Sequence, residues 1–150
     1  MKLAEALSRR AQLTESIGQL KTRLKDCIKI QEGDDPAESP ADVISELDNQ
    51  LGELQKLIFR INMTNSVTEI DGKNITLMLA ERDKLSIRTN ILGDALKHLT
   101  EREDRYNRNE IKYVRCVDVK EFRRLYDHSA SALRELDLKI QALGWTTELI

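Results

Sequence analysis

Apolar residues recur along most of this chain at alternating spacings of three and four, the pattern of helices that pack along one stripe. The first stripe is interrupted once, by Arg10. Gly33-Asp34-Asp35-Pro36 is predicted to end the first helix, because the residue before a proline is disfavoured in helical geometry. The apolar positions of this stripe are Leu3, Ala6, Leu13, Ile17, Leu20, Leu24 and Cys27.

A second helix is predicted to begin at Ser39-Pro40-Ala41-Asp42, where a capping hydroxyl precedes a proline and a carboxylate follows three residues later. Val43 and Leu57 widen its apolar stripe toward a second neighbour. The predicted stripe consists of Ile44, Leu47, Leu51, Leu54, Ile58 and Ile61.

The third and fourth predicted helices differ in how polar their stripes are. Thr76 is a candidate cap for a third helix that runs to about Arg105. Its stripe is partly polar and consists of Met78, Glu81, Leu85, Arg88, Leu92, Ala95 and Leu99. Asp118-Val119-Lys120-Glu121 is a capping-box variant that opens a fourth helix, and Gly144 is predicted to end it. The stripe of this helix has no gap: Val119, Phe122, Tyr126, Ser129, Leu133, Leu136, Ile140 and Leu143.

Four long helices joined by short connections pack antiparallel, so the expected fold is all-α. The arrangement is either one up-down-up-down bundle or two helical hairpins, each of which would complete its core against another subunit. Hydrophobic residues make up 40% of the chain and aromatic residues only 4%, which suits aliphatic helical stripes. A chain of 150 residues is expected to form a single helical domain over residues 1–150.

Two segments alternate like β-strands. Residues 67–76 contain two short runs on either side of Asp71-Gly72, which is a strong local signal for a tight hairpin. A short β-hairpin-like insertion is therefore expected between the second and third helices. Residues 111–117 alternate in the same way. In a single bundle the two segments lie at opposite ends, more than about 30 Å apart, so as strands they would pair between subunits. Ordinary loops are the alternative.

The charge balance does not favour nucleic acid or a membrane as the partner. The formal net charge is -2, from 24 basic and 26 acidic side chains. The longest apolar run, residues 77–80, is far shorter than the roughly 20 residues that cross a bilayer. Residues 2–10 open directly as an amphipathic helix rather than as a secretory signal, so a cytoplasmic location is expected.

Three polar residues fall in the apolar stripes at similar heights of a bundle. Arg10, Glu81 and Arg88 are therefore candidates for a buried polar network. Structural pairing or exposure to solvent is one interpretation. The other is that the arginines bind a carboxylate or phosphate ligand.

No motif indicates a metal, a cofactor or a catalytic centre. Cys27, His98 and Cys116 match no compact zinc spacing. Neither His98 nor His128 follows a glutamate at the spacing that helical di-iron sites need. The chain also lacks a glycine-rich phosphate loop and a nucleophile with an evident base. The sequence therefore favours a protein that is not an enzyme and expects no cofactor.

Five stretches together resemble the septicolysin-like family of small bacterial proteins: "MKLAEAL", "QEGDDPAE", "RINMTNS", "DRYNRNEIKYVRCVDV" and "LGWTTEL". The resemblance covers nearly the whole chain. It implies an all-helical, often self-associating bacterial protein with no established activity or catalytic residues. The family label implies a cytolysin.

These observations favour a cytoplasmic bacterial helical protein that self-associates, as a dimer or higher oligomer, and acts by binding or scaffolding. The alternatives are an anion-binding or metal-binding protein or an enzyme that uses polar groups of the third helix, and a cytolysin. Residues 102–115 interleave basic and aromatic side chains, but nearby acidic residues largely cancel that charge, so an oligomer contact is favoured over nucleic acid. The candidate interface residues are Asn62, Asn65, Arg105, Tyr106, Arg108 and Trp145.

Overall fold

The computed structural model describes residues 1–101 and 111–150, and these residues form helices and one small hairpin. The predicted all-α class and the hairpin between the second and third helices are both confirmed. The elements in chain order are α1 (Leu3–Ile28), α2 (Pro40–Val67), β1 (Glu69–Ile70), β2 (Lys73–Asn74), α3 (Ile75–Thr100) and α4 (Val119–Thr146).

Within this order the chain divides into two compact units. The first contains Met1–Ile75 and Gln141–Ile150, and the second contains Thr76–Ile140. The single domain over residues 1–150 stays a prediction. Across the described part of the chain, no helix combines the length and the apolar character that crossing a membrane requires.

Helices α1 and α2 pack antiparallel through an aliphatic core. Leu20, Cys27 and Val43 are buried together, with Leu24 and Leu47 partly buried against them. Ion pairs at both ends fix the direction of the pair, since Arg9 contacts Glu53 while Arg23 contacts Glu38. The predicted stripe of α1 is confirmed, because its buried residues are Leu3, Ala6, Leu13, Leu20 and Cys27. Arg10, the polar residue in that stripe, is exposed.

The buried face of α2 coincides only in part with the predicted stripe, of which Ile61 is buried and Leu47 is half-buried. Ile44, Leu51 and Ile58 were expected to face inward, yet all three are exposed. The buried residues of this helix are Val43, Leu57, Ile61 and Thr64. A helix with two adjacent apolar stripes can bury either one, and α1 covers the stripe that contains Val43 and Leu57.

The hairpin after α2 is a tight antiparallel turn. Glu69 pairs with Asn74 and Ile70 pairs with Lys73. Asp71 and Gly72 both have positive φ, 54° and 75°, the conformation of a type I′ turn, which an Asp-Gly pair adopts readily. Residues 111–117, by contrast, contain no β-strand.

Helices α3 and α4 pack antiparallel, and polar side chains lie within their contact. The Thr89 and Ser129 hydroxyls lie 2.8 Å apart and are buried, and Arg82 approaches Asp137 at 4.0 Å farther along the pair. On α3 the buried positions include Met78, Thr89 and Leu96. Thr89 and the half-buried Arg82 are therefore polar positions of the α3 seam. Glu81 is half-buried as well, whereas Arg88 is exposed.

The start of α4 was predicted correctly and its end was not. Asp118 Oδ1 accepts hydrogen bonds from the backbone N–H groups of Lys120 at 2.8 Å and Glu121 at 3.1 Å, which is an N-cap. Gly144 does not end the helix, which continues to Thr146. Gly144 is buried, and a Cβ there would lie in ordinary van der Waals contact with the Cβ of Ala4, at 3.5 Å.

Candidate interaction surface

Two stretches without charge stand out in a chain whose side chains are 33% charged. Residues 61–68 and residues 140–147 each contain eight consecutive uncharged residues. The first stretch is the end of α2, and most of the second is the end of α4. Residues 141–147 belong to the same unit as residues 61–68.

A buried hydroxyl attaches the tail of the chain to the first stretch. Thr64 Oγ1 donates to the carbonyl of Arg60 at 2.9 Å and accepts the backbone N–H of Ile150 at 3.1 Å. Arg60 Nε donates to the carbonyl oxygen of Ile150 at 2.6 Å. Because the hydroxyl both donates and accepts, Thr64 is satisfied although it has no exposed surface.

The tail also pairs with the start of α1. Leu3 N–H donates to the Thr147 carbonyl and Leu149 N–H donates to the Met1 carbonyl, both at 2.9 Å. Between them, Lys2 Nζ lies 2.5 Å from Glu148 Oε1. The hydrogen bond from Lys2 lowers the pKa of the Glu148 carboxyl below its usual range. The carboxylate that follows the second uncharged stretch is therefore already paired.

This end of the first unit exposes large apolar side chains. Phe59 is 65% exposed and Trp145 is 66% exposed, and Met63, Val67 and Ile150 are exposed as well. We call these five residues the neutral patch. Exposed apolar residues are ordinary when they occur singly, but aromatic residues and methionine are enriched in protein interfaces.

Comparisons with known proteins place the chain in a family. Residues 10–149 match the model of a family described as "Family of unknown function (DUF6847)". The chain belongs to DUF6847. It is also similar to a solved structure titled "Crystal structure of a functionally unknown conserved protein from Corynebacterium diphtheriae". The two are 42% identical, the match covers 100% of this chain and 99% of that one, and the TM-score is 0.93. A search of curated proteins found no match. The septicolysin-like resemblance stays a prediction.

Three of the predicted interface residues of this DUF6847 protein lie in the two uncharged stretches. Asn62 and Trp145 are exposed, and Asn65 is half-buried. The other three, Arg105, Tyr106 and Arg108, lie outside the described residues. The sequence-based prediction did not include Phe59, Met63 and Val67. The absence of charge over residues 61–68 is a signal in the sequence for Met63 and Val67.

The candidate polar network is distributed over two helices. Arg10 is exposed on α1, Arg88 is exposed on α3, and Glu81 is half-buried on α3. A network that joins all three residues stays a prediction.

The potential metal ligands of this DUF6847 protein do not form a cluster. Among residues 1–101 and 111–150, no group of three or more His, Cys, Asp or Glu side chains is arranged to hold an ion. Cys27 is buried in the α1–α2 core, whereas His98 and Cys116 line an open concavity in the second unit. Arg115 Nε donates to the Leu99 carbonyl at 3.2 Å beside that concavity.

Proposed function

We propose that this protein is a scaffolding protein that self-associates through the neutral patch, as a dimer or higher oligomer. The observation that carries the proposal is the exposure of Phe59 and Trp145 at one end of the first unit, beside stretches without charge. The hydrogen bonds of Thr64 and Arg60 hold this surface in place, so it is preformed before association. A preformed surface avoids the entropic cost of ordering upon binding.

A second copy fits this surface better than a charged partner does. A patch without net charge does not repel its own copy across a two-fold axis, and closed two-fold dimers are the commonest homo-oligomers. The polar groups beside the patch include the amides of Asn62 and Asn65, and an amide both donates and accepts hydrogen bonds. Each amide can therefore pair with the same group of the second copy.

The energetics require both aromatic residues. About two thirds of each is still exposed, so covering one ring contributes about 3 kcal/mol at roughly 25 cal/mol per Å². Two copies bring four rings, about 12 kcal/mol, which is comparable with the cost of about 4–15 kcal/mol for association. Loss of one ring from each copy should therefore weaken the assembly strongly.

Light scattering coupled to gel filtration at micromolar concentration tests this proposal. We expect the wild-type chain to be an oligomer and Phe59→Glu/Trp145→Glu to contain fewer copies. Leu138→Glu is the matched control, since Leu138 is 62% exposed but lies on α4 in the second unit, and it should keep the wild-type mass. A monomeric wild-type chain, or a double variant of wild-type mass, would contradict the proposal.

We further propose that the scaffold works in the cytoplasm. Cys27 and Cys116 are both free, and Cys116 is exposed. An exposed free thiol suits a reducing compartment, because oxidising compartments favour disulfides. Fractionation of cells that express the tagged chain should recover it with cytoplasmic markers, and recovery in the secreted fraction would contradict this location.

A further inference from the structure

Helix α3 has a second apolar seam on the side away from its buried residues. Ile87 is 61% exposed and Ile91 is 62% exposed, and they lie one helical turn apart. Lys84 and Asp94 continue the same line, because positions 84, 87, 91 and 94 are spaced by three, four and three residues. We call these four residues the outer seam. All four belong to the second unit.

The inner seam of α3 is already occupied. Thr89 is buried against Ser129 of α4, and Leu96 is buried as well. A surface helix with one neighbour normally carries one apolar stripe and a polar opposite face. The two exposed isoleucines of α3 therefore indicate a second neighbouring helix.

The outer seam is symmetric in a way that selects its own copy. Its order is Lys, Ile, Ile, Asp, and its spacing is the same in either direction from a point at Thr89. In an antiparallel pair of identical helices centred there, Ile87 faces Ile91 of the second copy and Lys84 faces Asp94 of the second copy. The two-fold axis repeats both contacts. Two layers of isoleucine are then flanked on each side by an ion pair.

The charges also exclude the parallel arrangement. In a parallel pair, Lys84 would face Lys84 and Asp94 would face Asp94, which is repulsive. Within the described residues, neither Lys84 nor Asp94 makes an ion pair with another part of the same chain. Both charges are therefore available to a partner, and antiparallel pairing satisfies both.

We propose that the outer seam of α3 packs antiparallel against the outer seam of a second copy of this chain. This contact does not depend on the neutral patch, which lies in the other unit. A chain with both surfaces has two independent two-fold contacts.

Charge exchange tests the register of this contact. Lys84→Asp places like charges opposite each other, and so does Asp94→Lys. Each single variant should weaken association about tenfold or more, because two attractive pairs become repulsive ones. The double variant Lys84→Asp/Asp94→Lys restores opposite charges and should recover the wild-type dissociation constant. Unchanged affinity in both single variants, or a double variant as weak as the single ones, would overturn the proposal.

The measurement separates this contact from the neutral patch when it is made in the Phe59→Glu/Trp145→Glu chain. Sedimentation equilibrium should find that chain as a dimer, and addition of Ile87→Glu should make it a monomer while circular dichroism stays helical. If the Phe59→Glu/Trp145→Glu chain is already a monomer, the α3 contact is overturned. The neutral patch is then supported, provided that the wild-type chain is an oligomer. A dimer that persists after Ile87→Glu would also overturn it.

Discussion

Helices α1 and α2 meet through Leu20, Cys27 and Val43, whereas α3 and α4 meet through a hydroxyl pair, Thr89 and Ser129. The first contact gains free energy from burial of aliphatic surface. The second also contains a buried hydroxyl pair, whose members must stay paired because an unsatisfied buried polar group is costly. Two helical hairpins of similar length can therefore differ in the polar contacts that their buried faces contain.

The two hairpins also differ in the space between their helices. At Gly93 a Cβ would lie 3.1 Å from the Tyr126 ring, so a larger residue there requires the ring to shift by a few tenths of an ångström. At Gly18 of α1, a Cβ would meet no atom within 4 Å among the described residues. The space around the glycine is thus tight in the second hairpin at Gly93 and open in the first hairpin at Gly18.

The largest expected effect is the loss of aliphatic burial in the first hairpin. Leu20→Ala should lower the free energy of unfolding by about 2–5 kcal/mol, because Leu20 is only 1% exposed and its removal leaves a cavity. Urea unfolding followed by circular dichroism measures the change. Leu138→Ala, at an exposed position of α4, should change it by less than about 0.5 kcal/mol. Equal effects of the two substitutions would remove the distinction between core and surface.

The next effect concerns the hydroxyl pair of the second hairpin. Ser129→Ala leaves the Thr89 hydroxyl without its partner and should cost about 1–3 kcal/mol. Thr89→Val should cost a similar amount for the same reason. The double variant Thr89→Val/Ser129→Ala should be less destabilised than the sum of the two, because no buried hydroxyl then remains unpaired. Urea unfolding of all four chains gives the coupling, and strict additivity would show that the hydroxyls do not depend on each other.

A smaller effect is expected from replacing Gly18 or Gly93 by alanine. Gly18→Ala should raise the free energy of unfolding by up to about 1 kcal/mol, since alanine favours a helix and the site is open. Gly93→Ala gives the same gain in helix propensity, but the Tyr126 ring must move. The free energy of unfolding of Gly93→Ala should therefore be lower than that of Gly18→Ala by about 1 kcal/mol or more. Thermal unfolding ranks the two variants. If Gly93→Ala stabilised the protein as much as Gly18→Ala does, the Tyr126 ring would be shown to move freely.

The smallest effect is the pH dependence of the first hairpin. Hydrogen bonds from Arg23 and Arg9 lower the pKa of Glu38 and Glu53 respectively. A carboxyl whose pKa is lower in the folded chain stabilises it above the usual glutamate value of 4.5, and this contribution is lost as the pH falls through the lowered pKa.

Glu38→Gln should therefore flatten the loss of stability on acidification. Glu15→Gln is the control, because Glu15 makes no ion pair among the described residues. Urea midpoints at pH 7 and at about pH 3 measure both variants. The same acid sensitivity in Glu38→Gln and in the wild type would exclude this ion pair as a cause.

Local features were predictable from the sequence because they depend on neighbouring residues. The Asp118 cap uses backbone groups two and three residues later, and the Asp71-Gly72 turn joins adjacent strands. Asn62 and Trp145 were predicted as interface residues and lie in the two uncharged stretches. Phe59 was not predicted, because a heptad pattern does not reveal which apolar residues outside the seam remain uncovered.

By itself, the sequence determined that this protein has four long helices with a tight hairpin between the second and third. Helical spacing, caps and turns follow from interactions within a few residues, so they can be read along the chain. Only the tertiary structure decided that α2 buries Val43 rather than Ile44, and that Thr64 binds Ile150, 86 residues away. Those outcomes depend on which distant surface arrives at a helix, and a pattern of spacing within one helix contains no information about its partner.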